Sequence, residues 1–276
     1  LQQAYSDIEQ SQVGIIKMLS YYSALTTPAL KNHGERVAGW AVKIARAMQL
    51  DVNSVKEIES AALLHDIGMV VISNDIIEKP FSQLLPTEKK LMQKHSILGE
   101  STLMNLPEMD GVAKMVRHHH ELYDGSGYPD KLAGKNIPLG ARIISLANEY
   151  DDLINGYCIG HKVSKNNALN IIHKLSSQRY DPDIVKEFDQ VINTDDNERK
   201  YKEGTIKGLK SSELETGMII CENLVSRDGI LLLSTGFEIT RKSINGIRRI
   251  EQNDHQKYMI YIDTEAQSAG QTDAIK

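Results

Sequence analysis

Nine histidines occur in the 276 residues, and six of them fall between His33 and His120. His65 is followed directly by Asp66, and His118, His119 and His120 stand in a row. The apolar run Ala61-Ala62-Leu63-Leu64 leads straight into His65-Asp66. A carboxylate at the end of a buried helix face is costly unless it is paired or metal-bound. Imidazole nitrogens with a carboxylate suit iron, manganese or zinc. Asp66 has two oxygens and could therefore bridge two ions. His33, His95, His119 and His120 would complete a set of five imidazoles with His65, and Asn148 and Asp151 stand one helical turn apart. Two metals about 3.5–4 Å apart clamp a phosphodiester and generate hydroxide from water. The alternative is a set of solvated or core histidines, and His118, His161, His173 and His255 are read that way.

The elements that must position these residues read as helices. Over 7–25, Ile8, Ile15, Leu19 and Tyr22 recur near one face, which predicts either a helix packed on the core or a coiled-coil arm from an upstream domain. A second helix is expected over 29–49, with Val37, Trp40, Ala41, Ile44 and Met48 as its apolar face. A third is expected over 53–65, capped by Asp51 or Asn53 and ended by Gly68. Residues 67–87 read as irregular, broken at Pro80 and Pro86. Further helices are expected over 88–95, 98–106, 109–120, 139–155, 164–175 and 182–192. A long glycine- and proline-containing loop, 121–138, lies among them, and loops of that length tend to be functional.

After residue 193 the texture changes. A charged linker at 195–204 precedes short apolar runs at 218–225, 230–233 and 257–263, with a helix over 240–250. Arg227-Asp228-Gly229 is a hairpin signal. The chain is thus expected to be mainly α: an N-terminal helix and linker at 1–27, a helical domain at 28–194, and a small α+β domain at 205–263. A frayed tail is expected at 264–276.

Composition is ordinary for a globular protein, with 41% hydrophobic and 25% charged residues. No apolar run is long enough to span a bilayer. Residues 1–12 are polar, without the basic and apolar regions of a signal peptide. Two cysteines, Cys158 and Cys221, argue against a disulfide framework and for the cytoplasm. A net charge of −5 argues against binding a nucleic-acid polymer. The first residue is Leu1, so the sequence reads as a piece of a longer protein.

His65-Asp66-Ile67-Gly68, His119-His120-Glu121 and Asp124-Gly125-Ser126-Gly127-Tyr128-Pro129 together resemble the signature of the HD-GYP family. His33-Gly34-Glu35-Arg36-Val37, Ile137-Pro138, Ala141-Arg142-Ile143 and Asp181-Pro182 extend the match. The resemblance implies a helical HD-superfamily bundle holding iron or manganese and hydrolysing cyclic di-GMP or 3′,3′-cyclic GMP-AMP in bacterial signalling. It implies metal ligands at His33, His65, Asp66, His95, His119, His120 and Asn148. Asp66 and Asp151 would be catalytic, and Gly127, Tyr128, Pro129, Arg142 and Asp151 would contact substrate, Asp151 by positioning the nucleophile or a guanine; for Arg142 a structural salt bridge is the equal alternative. The sequence departs from the family at Met69, where a lysine is usual, and at Leu122, where an arginine is usual. It also has Asn148 for an aspartate, and Tyr157-Cys158-Ile159-Gly160 in place of an arginine-containing stretch. Ala29 stands where a third-metal glutamate would be, so two divalent ions are expected.

These departures keep a second reading open: a degenerate domain that acts as a nucleotide receptor or as a module binding a protein such as a diguanylate cyclase. The segments Glu213-Leu214-Glu215-Thr216-Gly217-Met218 and Gly236-Phe237-Glu238-Ile239-Thr240 resemble a small domain that follows HD-GYP domains in some response regulators. That arrangement implies an upstream receiver domain, and the N-terminal helix is a candidate homodimer contact.

Overall fold

The computed structural model describes residues 13–23, 32–79, 81–156, 162–202, 206–227, 230–234 and 236–263. The chain divides into two compact units, Leu1–Asn193 and Thr194–Lys276.

The first unit is helical. α1 covers residues 13–23, followed by α2 (His33–Ala47), α3 (Val52–Leu64), α4 (Asn74–Ile77), α5 (Pro86–Met92), α6 (His95–Leu103) and α7 (Asp110–His118). After the long loop come α8 (Leu139–Asn155), α9 (Lys165–Lys174) and α10 (Pro182–Lys202). Local chemistry explains several boundaries. Asp51 caps α3 by accepting from the backbone N–H groups of Asn53 and Ser54 at 3.0 and 3.1 Å. Gly156 ends α8 with φ 81°, a conformation that favours glycine. The core joins α2, α3, α7 and α8 through residues such as Ile44, Leu64, Val116 and Ile144, all essentially inaccessible. Trp40 packs edge-on against Tyr150 and Phe188, with centroids 5.1 and 6.0 Å away.

Three expectations need correction. The α1 stripe of Ile15, Leu19 and Tyr22 is exposed, and Ile16, Ser20 and Tyr21 are the buried residues. The stripe read from periodicity is therefore not the face packed on the core, and of its two readings only the coiled-coil arm is left open; Ile8 lies outside the described residues. Gly68 does not end α3. The helix stops at Leu64, and Gly68 sits in a 3-10 turn, Ile67–Val71. A Cβ at Gly68 would lie 2.0 Å from the His95 carbonyl oxygen and 2.7 Å from the Gly99 nitrogen. The turn therefore packs backbone to backbone on α6, which brings Asp66 to His95. Finally, the expected linker at 195–204 is helical through Lys202 as part of α10. Its Asp, Glu, Arg and Lys residues are charged, but Glu, Arg and Lys are good helix formers.

The second unit contains β1 (Ile206–Lys210), β2 (Leu224–Val225), β3 (Leu231–Leu233), α11 (Arg241–Asn253) and β4 (Met259–Asp263). β1 pairs antiparallel with β4, and β2 with β3. Leu209, Ile220, Ile244, Ile247, Ile260 and Ile262 form its core. Sequence pattern did not reveal β1, because Ile-Lys-Gly-Leu-Lys has only two apolar residues. Asp228, Gly229 and the tail at 264–276 lie outside the described residues.

Candidate metal centre

Helix ends deliver the imidazoles. His33 opens α2, His65 caps the C-terminus of α3, His95 opens α6, and His119 caps the C-terminus of α7. His65 Nδ1 lies 2.7 Å from the Ala62 carbonyl oxygen, His95 Nδ1 2.6 Å from that of Met92, and His119 Nδ1 2.6 Å from that of Val116. A carbonyl only accepts, so Nδ1 carries the proton in all three rings and Nε2 is left with a lone pair. His95 Nε2 and His119 Nε2 then face each other at 3.2 Å with no proton between them. His65 Nε2 is buried without a hydrogen-bond partner. Lone pairs left without a donor are what a cation would satisfy.

The ligand atoms fall into two groups. His95, His119 and His120 form one; His33, His65 and Asp66 form the other, and within each group the atoms lie within 4.8 Å of one another. Asp66 stands between them. Its Oδ2 is 3.2 Å from His65 Nε2 and 3.8 Å from His33 Nε2, while its Oδ1 is 3.6 Å from His95 Nε2. Burial alone would raise the Asp66 carboxyl, but His65, His95 and His33 outweigh it and hold it well below its ordinary value. Burial, reinforced by neighbouring imidazoles, pushes His119 and His120 well below the usual histidine value. Burial also lowers His95. Neutral rings are the ligating form. Asn148 Oδ1, on α8, is likewise buried without a partner, as an amide oxygen available to a cation would be.

The Asp151 carboxylate is fully occupied by protein donors. Its Oδ1 accepts from Arg36 Nε at 2.7 Å and Asn155 Nδ2 at 3.0 Å. Its Oδ2 accepts from Arg36 Nη2 at 2.9 Å and His33 Nδ1 at 2.8 Å. The carboxylate is 2% exposed and all four acceptor directions are used, so no oxygen is left for a nucleophile or a guanine. It orients His33 instead. Burial opposes a charge on His33, but the Asp151 hydrogen bond outweighs it and pushes the ring up to about 9. Sequence reasoning missed Arg36 in this role; its place in the His33-Gly34-Glu35-Arg36 run was the only signal.

The loop residues divide similarly. Tyr128 stacks on His120, with centroids 4.8 Å apart and planes at 22°, and Pro129 follows it. Gly127 faces the loop's own backbone: a Cβ there would lie 2.3 Å from the Leu122 nitrogen. Its smallness lets the loop fold back on the His119-His120 segment, and the Tyr128 N–H donates to the His120 carbonyl at 3.2 Å. Glu121, which the sequence offered as part of the His119-His120-Glu121 motif without a role, is buried and clamps the loop by accepting from the N–H groups of Asp130 and Leu132 at 2.6 and 3.1 Å. Arg142 was open to two roles, a phosphate contact or a structural salt bridge, and takes the second: it donates to the Ile137 carbonyl at 3.0 Å and pairs with buried Asp181. His118 donates to the Lys114 carbonyl and meets Asp130 at 2.9 Å. Asp130 is also held by two Arg117 nitrogens, so the His118–Glu121–Asp130 group already has its cation. His173 pairs with Asp189 at the surface. Ala29, His161 and 157–160 lie outside the described residues.

A family model described as HD domain matches residues 17–184. A cyclic di-GMP phosphodiesterase of Thermotoga maritima is 33% identical over 186 residues, covering 67% of this chain and 50% of that protein. The 3′3′-cGAMP-specific phosphodiesterase 3 of Vibrio cholerae is 32% identical over 167 residues, 60% of this chain and 36% of that one. The chain thus spans half or less of the length of these curated relatives. The crystal structure of a cyclic GMP-AMP-specific phosphodiesterase of V. cholerae superposes with a TM-score of 0.50 at 22% identity, over 65% of this chain and 48% of the other. That likeness is one of fold. Among the described residues, no helix is long and apolar enough to cross a membrane.

Proposed function

The chain belongs to the HD domain family and carries its HD-GYP signature, and from this premise we propose that it is a metal-dependent phosphodiesterase that hydrolyses a cyclic dinucleotide, cyclic di-GMP or 3′,3′-cyclic GMP-AMP. The observation that carries the reading is the pair of facing Nε2 atoms on His95 and His119 together with the orphaned Nε2 of His65. Two ions, iron or manganese, fit this nitrogen and oxygen donor set. His95, His119 and His120 would hold one, and His33, His65 and Asn148 the other, with Asp66 shared. When bound, the ions supply Lewis acidity toward a phosphodiester and an activated water.

The chain's own residues supply positioning. Nδ1–H bonds to three backbone carbonyls fix the tautomers and ring directions of His65, His95 and His119. The Arg36–Asp151 pair fixes His33 from behind. Glu121 holds the loop that stacks Tyr128 beside His120, where the phenol would meet the bound nucleotide. The related V. cholerae and T. maritima phosphodiesterases support the substrate class. The test is metal analysis of the purified protein followed by turnover of both cyclic dinucleotides after manganese loading. Hydrolysis of one with metal bound is expected; metal-loaded protein inert toward both would refute the enzymatic reading.

A second reading, nucleotide binding without turnover, is favoured by Met69, which lines the cleft beside His33, His65 and Asp66 where the family usually places a cation. For partners, the exposed α1 stripe of Ile15, Met18, Leu19 and Tyr22 is the surface we assign to a second copy or an upstream receiver domain. The second-messenger chemistry and the scarcity of cysteine support the cytoplasm as its compartment.

A further inference from the structure

α1 carries two stripes of different chemistry. Ile16, Ser20 and Ser23 recur at i, i+4 and i+7 and point inward, Ile16 into the core of the first unit. Ser20 is 7% exposed. Beyond Ile16 the stripe passes from the core to the metal edge, where Ser20 and Ser23 line one cleft with His33, His65, Asp66 and Met69. Gly34 permits this approach: a Cβ there would lie 2.9 Å from Ser20 Oγ and 3.1 Å from the Leu63 carbonyl oxygen. The buried, unpartnered Nε2 of His65 belongs to the same cleft.

A phosphate brought to this edge needs donors for the oxygens that the ions do not take. Met69 offers none. A hydroxyl donates readily to an anionic oxygen. Ser23 Oγ donates to the Ser20 carbonyl at 2.8 Å, which ties down the last described turn of α1. We propose that Ser20 of α1 binds a phosphate oxygen of the ligand held at the His33–His65–Asp66 group. The site thereby includes the helix that precedes the HD motif residues. This inference rests on the functional reading above, since it supposes an anionic phosphate at the metals.

The test uses the full chain loaded with manganese and inorganic phosphate as the probe, followed by calorimetry with bound manganese counted in parallel. Ser20→Ala, a helix-compatible change, should weaken phosphate binding by roughly ten- to a hundredfold, the size of a hydrogen bond to a charged group. Manganese content should stay unchanged. Ser23→Ala, which removes the tether to the Ser20 carbonyl, should weaken phosphate binding by less than Ser20→Ala does. Phosphate affinity unchanged in Ser20→Ala, manganese lost along with phosphate, or no phosphate binding by the unaltered protein would each overturn the inference. Failure to hydrolyse either cyclic dinucleotide would sink the enzymatic reading alone, because phosphate binding is measured without turnover.

Discussion

Replacing Asp151 by Asn separates the two metal groups experimentally. The carboxylate lies 2.8 Å from His33 Nδ1 and receives three further donors from Arg36 and Asn155. An amide retains one acceptor oxygen but turns an NH2 group toward donors, and it removes the charge that raises His33. His33 then loses the partner that aims its Nε2 at the ligand group. Outer-shell partners of metal-bound histidines are typically worth about 10–100-fold in affinity, or roughly 1.4–2.7 kcal/mol. We expect a loss of that size at the His33 group only, because His95, His119 and His120 take their orientation from backbone carbonyls or from ring stacking. Arg36 is about one-third exposed, so water can accept its donors and the fold should survive. Manganese titration against a competing chelator resolves the two affinities. Equal weakening of both ions, or no weakening of either in a folded variant, would refute the buttress role.

Three further outcomes are expected. Asp66→Ala should remove more metal than His33→Ala, since the Asp66 oxygens face both groups; elemental analysis showing equal content would argue against sharing. Metal affinity at the His33 group should rise with pH, because a ring raised from 6.5 to about 9 must shed its Nε2 proton to ligate; in the metal-free protein the same shift stabilises the fold fully below 6.5 and is lost as pH climbs through 9, which thermal melts across that window would detect. Met69→Lys should raise affinity for a cyclic dinucleotide about tenfold or more by restoring a cation in the cleft, as read by calorimetry, and no change would count against its reading as a lost phosphate contact.

Motifs contiguous in the chain were legible from sequence. The apolar run into His65-Asp66 marked a helix end carrying polar groups, and the 139–155 helix coincides with α8. Residues whose partners are distant in sequence were not legible. Arg36 meets Asp151 across 115 positions and Arg142 meets Asp181 across 39. A lone Arg beside a phosphate motif reads the same whether it faces ligand or brace. Asn148 and Asp151 stand one turn apart on α8, yet spacing cannot say that His33 and Arg36 would already occupy the second of them. The inward face of α1 was hidden for a related reason: it contains Ser20 beside Ile16 and Tyr21, so the more regular apolar stripe of Ile15, Leu19 and Tyr22 drew the reading.

The metal groups differ in how firmly the fold holds them. His65 and His119 hang from α3 and α7, whose inner faces are buried in the core, and their Nδ1 acceptors, Ala62 and Val116, are themselves inaccessible. His95 takes its acceptor from Met92, the last residue of α5, a helix with no buried residue. His95 itself is fully buried, held by the packing of α6 on the Gly68 turn. The orientation of one ligand in the His95–His119–His120 group thus depends on a surface helix, whereas its position depends on a glycine contact. A side chain at Gly68 would displace His95 from Asp66, and fraying of α5 would release the His95 tautomer without moving the ring's place in the fold. The place of Asp66 beside both groups is therefore sensitive to backbone packing on one side and, on the other, to a hydrogen bond that His95 donates to a helix with no buried residue.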